Sequence, residues 1–131
     1  MKGDIDVKSD LLMGLMNLIE AEHHARFSWY STRKNEWLDR LNHIREMRAK
    51  IMPQLETHED SQLHCYNKHL LSATFRFWEV GDKYLADGRI EEAIKSYDLG
   101  FELLEEFIST NILGEEEQKS FFEKIKRRFT K

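Results

Sequence analysis

Residues 77–100 read FWEVGDKYLADGRIEEAIKSYDLG, and the placing of small residues in this stretch decides the fold. Val80, Gly81, Tyr84, Gly88, Ile90, Ala93, Tyr97 and Gly100 fall at intervals that suit two antiparallel helices in tight contact. Gly81 removes a side chain where the second helix comes close, and Ala93 keeps the crossing narrow. Asp87-Gly88 is the turn, because glycine takes the positive φ that stops the first helix and releases the chain into the second.

Outward from that hairpin, apolar residues recur at the helical period and seldom alternate, so the chain reads as all-α. Helices are expected at about residues 9–32, 36–52, 60–86, 89–112 and 115–129. The first carries a stripe of Leu11, Leu12, Leu15, Leu18 and Ile19, continued by Trp29 and Tyr30. The second takes Asn35 as its cap and Pro53 as its stop, with Trp37, Leu38, Leu41, Ile44, Ile51 and Met52 facing inward. Thr57 stands three residues before Asp60, a spacing suited to capping the third helix. That helix is apolar over a wide arc, from Leu63 through Leu70, Leu71, Phe77 and Trp78 to Leu85. The fourth turns Ile90, Ile94, Tyr97, Phe101, Leu104 and Ile108 inward and breaks at Gly114. The fifth is short and amphipathic through Phe121, Phe122, Ile125 and Phe129, with acids at 115–117 and bases at 124–128. That polarity complements the helix dipole, which accounts for the basic cluster without a ligand. A chain of 131 residues is one domain on length alone. The fold expected is a compact bundle of about five helices, spanning residues 1–131 as a single domain.

Composition narrows the function. Net charge is −4, which argues against nucleic acid or an acidic membrane as the partner of the whole surface. The one cysteine, Cys65, cannot form an intramolecular disulfide and fits a reducing compartment. Residues 1–8 are polar and acidic, unlike a signal peptide. No run approaches the 18 or so apolar residues that a membrane helix needs. A cytoplasmic protein without a membrane span is the expectation.

Polar residues on apolar faces are the candidate site. The stripe of the first helix passes through Glu22 and Arg26, with His23 at its edge, and that of the second through Arg48, with Arg45 on its flank. Asn67 falls within the apolar arc of the third. A charge on such a face costs several kcal/mol unless paired, so Glu22 should meet Arg26 one turn on, or Arg45 or Arg48 across the interface. Such a cluster is either an internal ion network that sets helix register or an arginine-rich cleft for a phosphate or carboxylate. For metal, Glu20-Ala-Glu-His23 matches the Glu-x-x-His spacing of helical di-iron sites, but it occurs once where two are required. The simpler metal set is His23 and Glu22 with His64. No cofactor is implied. Cys65 has cationic neighbours in His64, Lys68 and His69, yet neither an orienting base nor a glycine-rich turn accompanies it, so no catalytic residue is assigned.

The spacing of residues 77–100, with Phe77 large at the first position and an aromatic at Tyr97, resembles the tetratricopeptide (TPR) helix hairpin, and it occurs once. The stretch Tyr84–Tyr97, with Gly88-Arg-Ile-Glu-Glu-Ala93, is also similar to a helix pair of HEPN domains. That resemblance implies an RNA-acting or nucleotide-acting bundle. HEPN ribonucleases place a histidine four to six residues after an arginine, and this chain departs from them, since Arg40 to His43 is too short. Off-stripe Phe75, Leu99, Leu103 and Phe107 suggest surfaces left for association. The expected function is therefore a non-catalytic helical protein that binds a protein partner or itself, as a homodimer.

Overall fold

The computed structural model describes residues 2–57, 59–111 and 115–130, with side chains from residue 6 in the first segment and from 117 in the last. It contains five helices: α1 (Lys2–Thr32), α2 (Asn35–Leu55), α3 (Ser61–Ala86), α4 (Ile90–Asn111) and α5 (Glu115–Thr130). Among the described residues there is no strand. The protein is all-α, and α3 and α4 pack as a close hairpin. The chain divides into two compact units, Met1–Thr57 and His58–Lys131.

Several helix ends differ from expectation for local reasons. α1 begins at Lys2, well before residue 9; Asp6, near that start, suits the positive end of the dipole. α2 starts after Lys34, which offers no side-chain cap, so Asn35 is its first helical residue. It also runs through Pro53 to Leu55. Proline in a last turn forfeits one amide donor, and the Glu56 amide still closes on the Met52 carbonyl at 3.1 Å. The cap of α3 is Asp60, not Thr57: its carboxylate accepts from the amides of Gln62 at 2.9 Å and Leu63 at 3.4 Å. The expected break at Gly114 lies outside the described residues.

In the first unit, Arg33 and Lys34 alone link α1 to α2. Arg33 takes the left-handed conformation at φ 59°, and its amide returns to the Trp29 carbonyl at 2.7 Å. Leu12, Leu15, Met16 and Ile19 of α1 and Met52 and Leu55 of α2 are buried.

The second unit is organised by the seam between α3 and α4. Its α4 side is Ala93, Ser96, Gly100, Leu104, Phe107, Ile108 and Asn111. Ile90 and Ile94, expected inward, are 52% and 53% exposed. The seam runs through the smallest residues of the helix rather than the centre of its apolar arc, because close approach requires them there. Two rings fill the room so made. Tyr97 of α4 lies on Gly81 of α3, where a methyl would sit 2.6 Å from the ring. Trp78 of α3 lies on Gly100 of α4, where a methyl would overlap the indole and stand 3.1 Å from the Thr74 carbonyl. Each ring is tethered: Trp78 Nε1 donates to the Tyr97 carbonyl at 3.2 Å, and the Tyr97 hydroxyl to Asp82 at 2.6 Å. The hydrogen bond to Asp82 raises the Tyr97 phenol above its usual pKa, with desolvation adding to it. Ser96 donates to the Phe77 carbonyl at 2.5 Å. At the turn, Gly88 has φ 76°, as the sequence required. α5 packs along α4, where Phe129 meets Trp78 at 4.8 Å and Phe101 at 6.3 Å between ring centres. Phe121 and Ile125 are its buried residues.

Three glycines therefore behave differently when a methyl is added. Gly14 lies in mid-helix with nothing within 4 Å of the new carbon, so Gly14→Ala should stabilise by about 0.5–1 kcal/mol through backbone entropy. Gly100→Ala should destabilise by about 1–3 kcal/mol through overpacking. Gly88→Ala should destabilise through its positive φ. Urea denaturation of the three variants checks the order; a neutral Gly100→Ala would refute the ring-on-glycine seam.

Candidate functional site

Glu22 follows Ile19 by three residues on the buried face of α1, and Arg48 precedes Met52 by four on that of α2. The two-residue link folds α2 back along α1 and brings these positions level. Arg48 grips the carboxylate with two donors, Nε to Oε2 at 2.6 Å and Nη2 to Oε1 at 3.2 Å. Both residues are buried, at 6% and 7% exposure. A planar guanidinium can match a carboxylate in this two-pronged way, and the pair satisfies the charge that the apolar face would otherwise punish.

Two more arginines converge on the same carboxylate. Arg26 Nη2 lies 4.0 Å and Arg45 Nε 3.9 Å from Glu22 Oε1. Their side chains are 44% and 57% exposed, so water screens these longer approaches and each is worth little by itself. Arg26 Nη1 also stands 2.9 Å from His23 Nδ1, within hydrogen-bond reach. Near the link, the Arg33 guanidinium covers Trp29 at 4.8 Å and Tyr30 at 5.3 Å. Arg40 covers Trp37 at 4.6 Å.

The structure thus gathers Glu22, Arg26, Arg45 and Arg48 in one place, with His23 beside Arg26. Asn67 and His64 belong to α3, in the other unit. Asn67 is fully buried and joins α3 to α4: its Nδ2 donates to Asn111 Oδ1 at 3.3 Å, and its Oδ1 accepts from Thr110 at 3.0 Å. Asn111 Nδ2 in turn donates to the Phe107 carbonyl at 2.7 Å. Among the described residues, no group of three His, Cys, Asp or Glu side chains comes together as a metal ion would require. Cys65 is exposed.

Sequence reasoning passed over Thr110 and Asn111, which sit near the end of a long helix with ordinary polar neighbours. Their signal was the pairing of Asn67 with Asn111, visible only once the antiparallel register was set. It also passed over an open apolar groove of about 430 Å³ along α1 and α2, lined by Val7, Leu11, Gly14, Leu18, Met47 and Ile51. The spacing of Val7, Leu11, Gly14 and Leu18, alternately four and three residues, was its trace.

Compared with known proteins, the chain matches no family model, and no curated protein or solved structure is significantly similar to it. No helix among the described residues is long and apolar enough to cross a membrane.

The two polar clusters predict distinct mutational responses. Glu22→Gln leaves Arg48 buried without its counter-charge and should cost about 3–5 kcal/mol in urea denaturation. The double change Glu22→Leu, Arg48→Met should cost far less, because no orphaned charge remains. Asn67→Ala should cost about 1–3 kcal/mol by leaving the Asn111 and Thr110 groups short of a partner. Equal losses in the single and double ion-pair variants would show that packing, not charge, carries the first effect.

Proposed function

We propose that the chain is a non-catalytic helical protein that acts by self-association, two copies pairing through the α3–α4 hairpin. The observation that carries this reading is the face of the hairpin turned away from α5. There Phe77 and Val80 of α3 and Leu99 of α4 are 37%, 40% and 44% exposed. They lie on the flank opposite Trp78 and Phe101, the residues that meet α5. A TPR-like hairpin supports the reading physically, since one such pair cannot bury both of its apolar faces. Here α5 covers one.

Charge selects a second copy as the occupant of the other. The outer edge of α3 carries exposed Arg76, Glu79 and Lys83, with Arg76 paired to Glu79 at 3.9 Å, and that of α4 carries exposed Lys95, Glu102 and Glu106, so the first is net positive and the second net negative. A two-fold axis parallel to the helices lays the basic edge of one copy over the acidic edge of the other. The result is a four-helix arrangement. A two-fold axis across the helices would set like charges together, at a cost in affinity. The first arrangement is self-complementary, as a symmetric interface must be.

Sedimentation equilibrium tests the reading. The 15.7 kDa chain should sediment as a species of twice that mass at micromolar concentrations and low salt. The exposed-site variant Val80→Glu, Leu99→Glu should be monomeric while keeping the helical circular dichroism of the wild type, with a melting temperature that no longer depends on concentration. Arg76→Glu, which the seam register sets level with Glu102, should weaken the dimer, and adding Glu102→Arg should restore part of the loss. A monomer at every concentration reached would overturn the proposal.

A further inference from the structure

We infer that the arginine corner of α1 and α2 binds a phosphate monoester, with the group attached to the phosphate lying against Tyr30. The argument begins with charge. Three guanidiniums surround one carboxylate, and among the described residues Glu22 is the only acid within 4.0 Å of Arg26, Arg45 or Arg48. Arg48 already neutralises it in a buried, two-pronged pair. Arg26 and Arg45 therefore add two positive charges to a site whose negative charge is already matched, and both remain open to solvent. Water screens the repulsion between these two exposed guanidiniums only in part. A dianion of matching charge relieves that repulsion, and a monoester phosphate near neutral pH carries close to two negative charges.

Geometry agrees with the charge. Arg26 Nη2 and Arg45 Nε each stand within 4.0 Å of the same oxygen, so they are at most about 8 Å apart. A tetrahedral oxyanion seated on the solvent side of both donors, clear of the Glu22 carboxylate, accepts a charged hydrogen bond of about 2.8 Å from each. The buried Glu22–Arg48 pair forms the floor and holds the register of the two helices. It takes no part in binding the anion directly.

The neighbouring surface says what the phosphate is attached to. Tyr30 follows Arg26 by four residues, about 5.4 Å along the same face of α1. Its ring is 58% exposed and is backed by the Arg33 guanidinium at 5.3 Å. Leu38, seven residues before Arg45 on α2, is 41% exposed and shares the face of that arginine. A planar ring one helical turn from a bound phosphate would rest on this surface, the reach of a nucleoside monophosphate.

Calorimetric titration of the full chain at low salt tests the inference, with AMP, inorganic phosphate, adenosine and cyclic AMP as probes. AMP should bind at least about tenfold more tightly than inorganic phosphate, and adenosine should give no detectable heat. Cyclic AMP, a diester with one charge, should bind at least about tenfold more weakly than AMP. The exposed-residue variant Arg26→Gln, Arg45→Gln should lose AMP binding at least about tenfold without a change in melting temperature. Tyr30→Ala should lower AMP affinity to that of inorganic phosphate and leave phosphate binding unchanged. No binding of AMP or phosphate at millimolar concentration, AMP binding unchanged in the double arginine variant, or cyclic AMP binding as tightly as AMP would each overturn it.

Discussion

The exchange of rings for glycines between α3 and α4 is the constraint on which the second unit depends. Each helix gives up a side chain to receive an aromatic from the other, Tyr97 on Gly81 and Trp78 on Gly100. Neither contact works alone. If the helices stood a conventional 9–10 Å apart, the glycines would leave voids and both rings would lose their dispersion contacts. Brought closer, the two notches fill together, and the polar atoms of the rings find the Tyr97 carbonyl and the Asp82 carboxylate within reach. The same closeness lets Ser96 donate to a main-chain carbonyl of the opposite helix, a bond that a wider seam would not permit. The aromatic side of this seam then becomes the surface on which Phe129 of α5 packs.

Polar groups divide the labour differently in the two units. Across α3 and α4 the buried polar link is neutral, Asn67 with Asn111 and Thr110, and it fixes register at the end of the hairpin far from the Gly88 turn. Across α1 and α2 it is ionic. A buried ion pair adds little net stability over apolar residues of the same size, since desolvation offsets the attraction. Its contribution is selective: sliding α2 along α1 by one turn would separate Glu22 from Arg48 and leave the buried guanidinium of Arg48 unmatched. That penalty holds Arg26 and Arg45 at a common height, which no contact between those two exposed side chains could do.

Most of the architecture was legible in the residues, for identifiable reasons. The helical period, the Asp87-Gly88 turn and the small residues at 81 and 93 bear directly on backbone geometry, and the helices and their hairpin followed from them. The inward face of α4 was not legible from hydrophobicity, because Ile90 and Ile94 outrank Ser96 and Gly100 on any apolar scale yet lie outside the seam. Close packing selected for size, and the apolar stripe misled there. The pairing of Glu22 with Arg48 was legible as a need, since a carboxylate on a leucine face must find a cation. Which arginine it would take depended on the height set by the short link at Arg33-Lys34, a quantity that sequence spacing left open between three candidates. The capping role of Asp60 was masked by Thr57, an equally good capping residue three positions earlier.

The displaced isoleucines also have a structural consequence. Phe129 of α5 lies beside Phe101, and Ile90 and Ile94 stand about two to three turns nearer the Gly88 turn, 52% and 53% exposed. Leu85, at 49% exposure, adds to this uncovered end near the turn. An apolar surface at a hairpin tip is tolerated because the turn itself is tight: Arg89 returns its amide to the Tyr84 carbonyl at 2.9 Å and stacks its guanidinium on the Tyr84 ring at 4.7 Å. The tip thus keeps its backbone bonds satisfied without burial of its side chains. Stability of the hairpin comes from the glycine seam rather than from its apolar flanks.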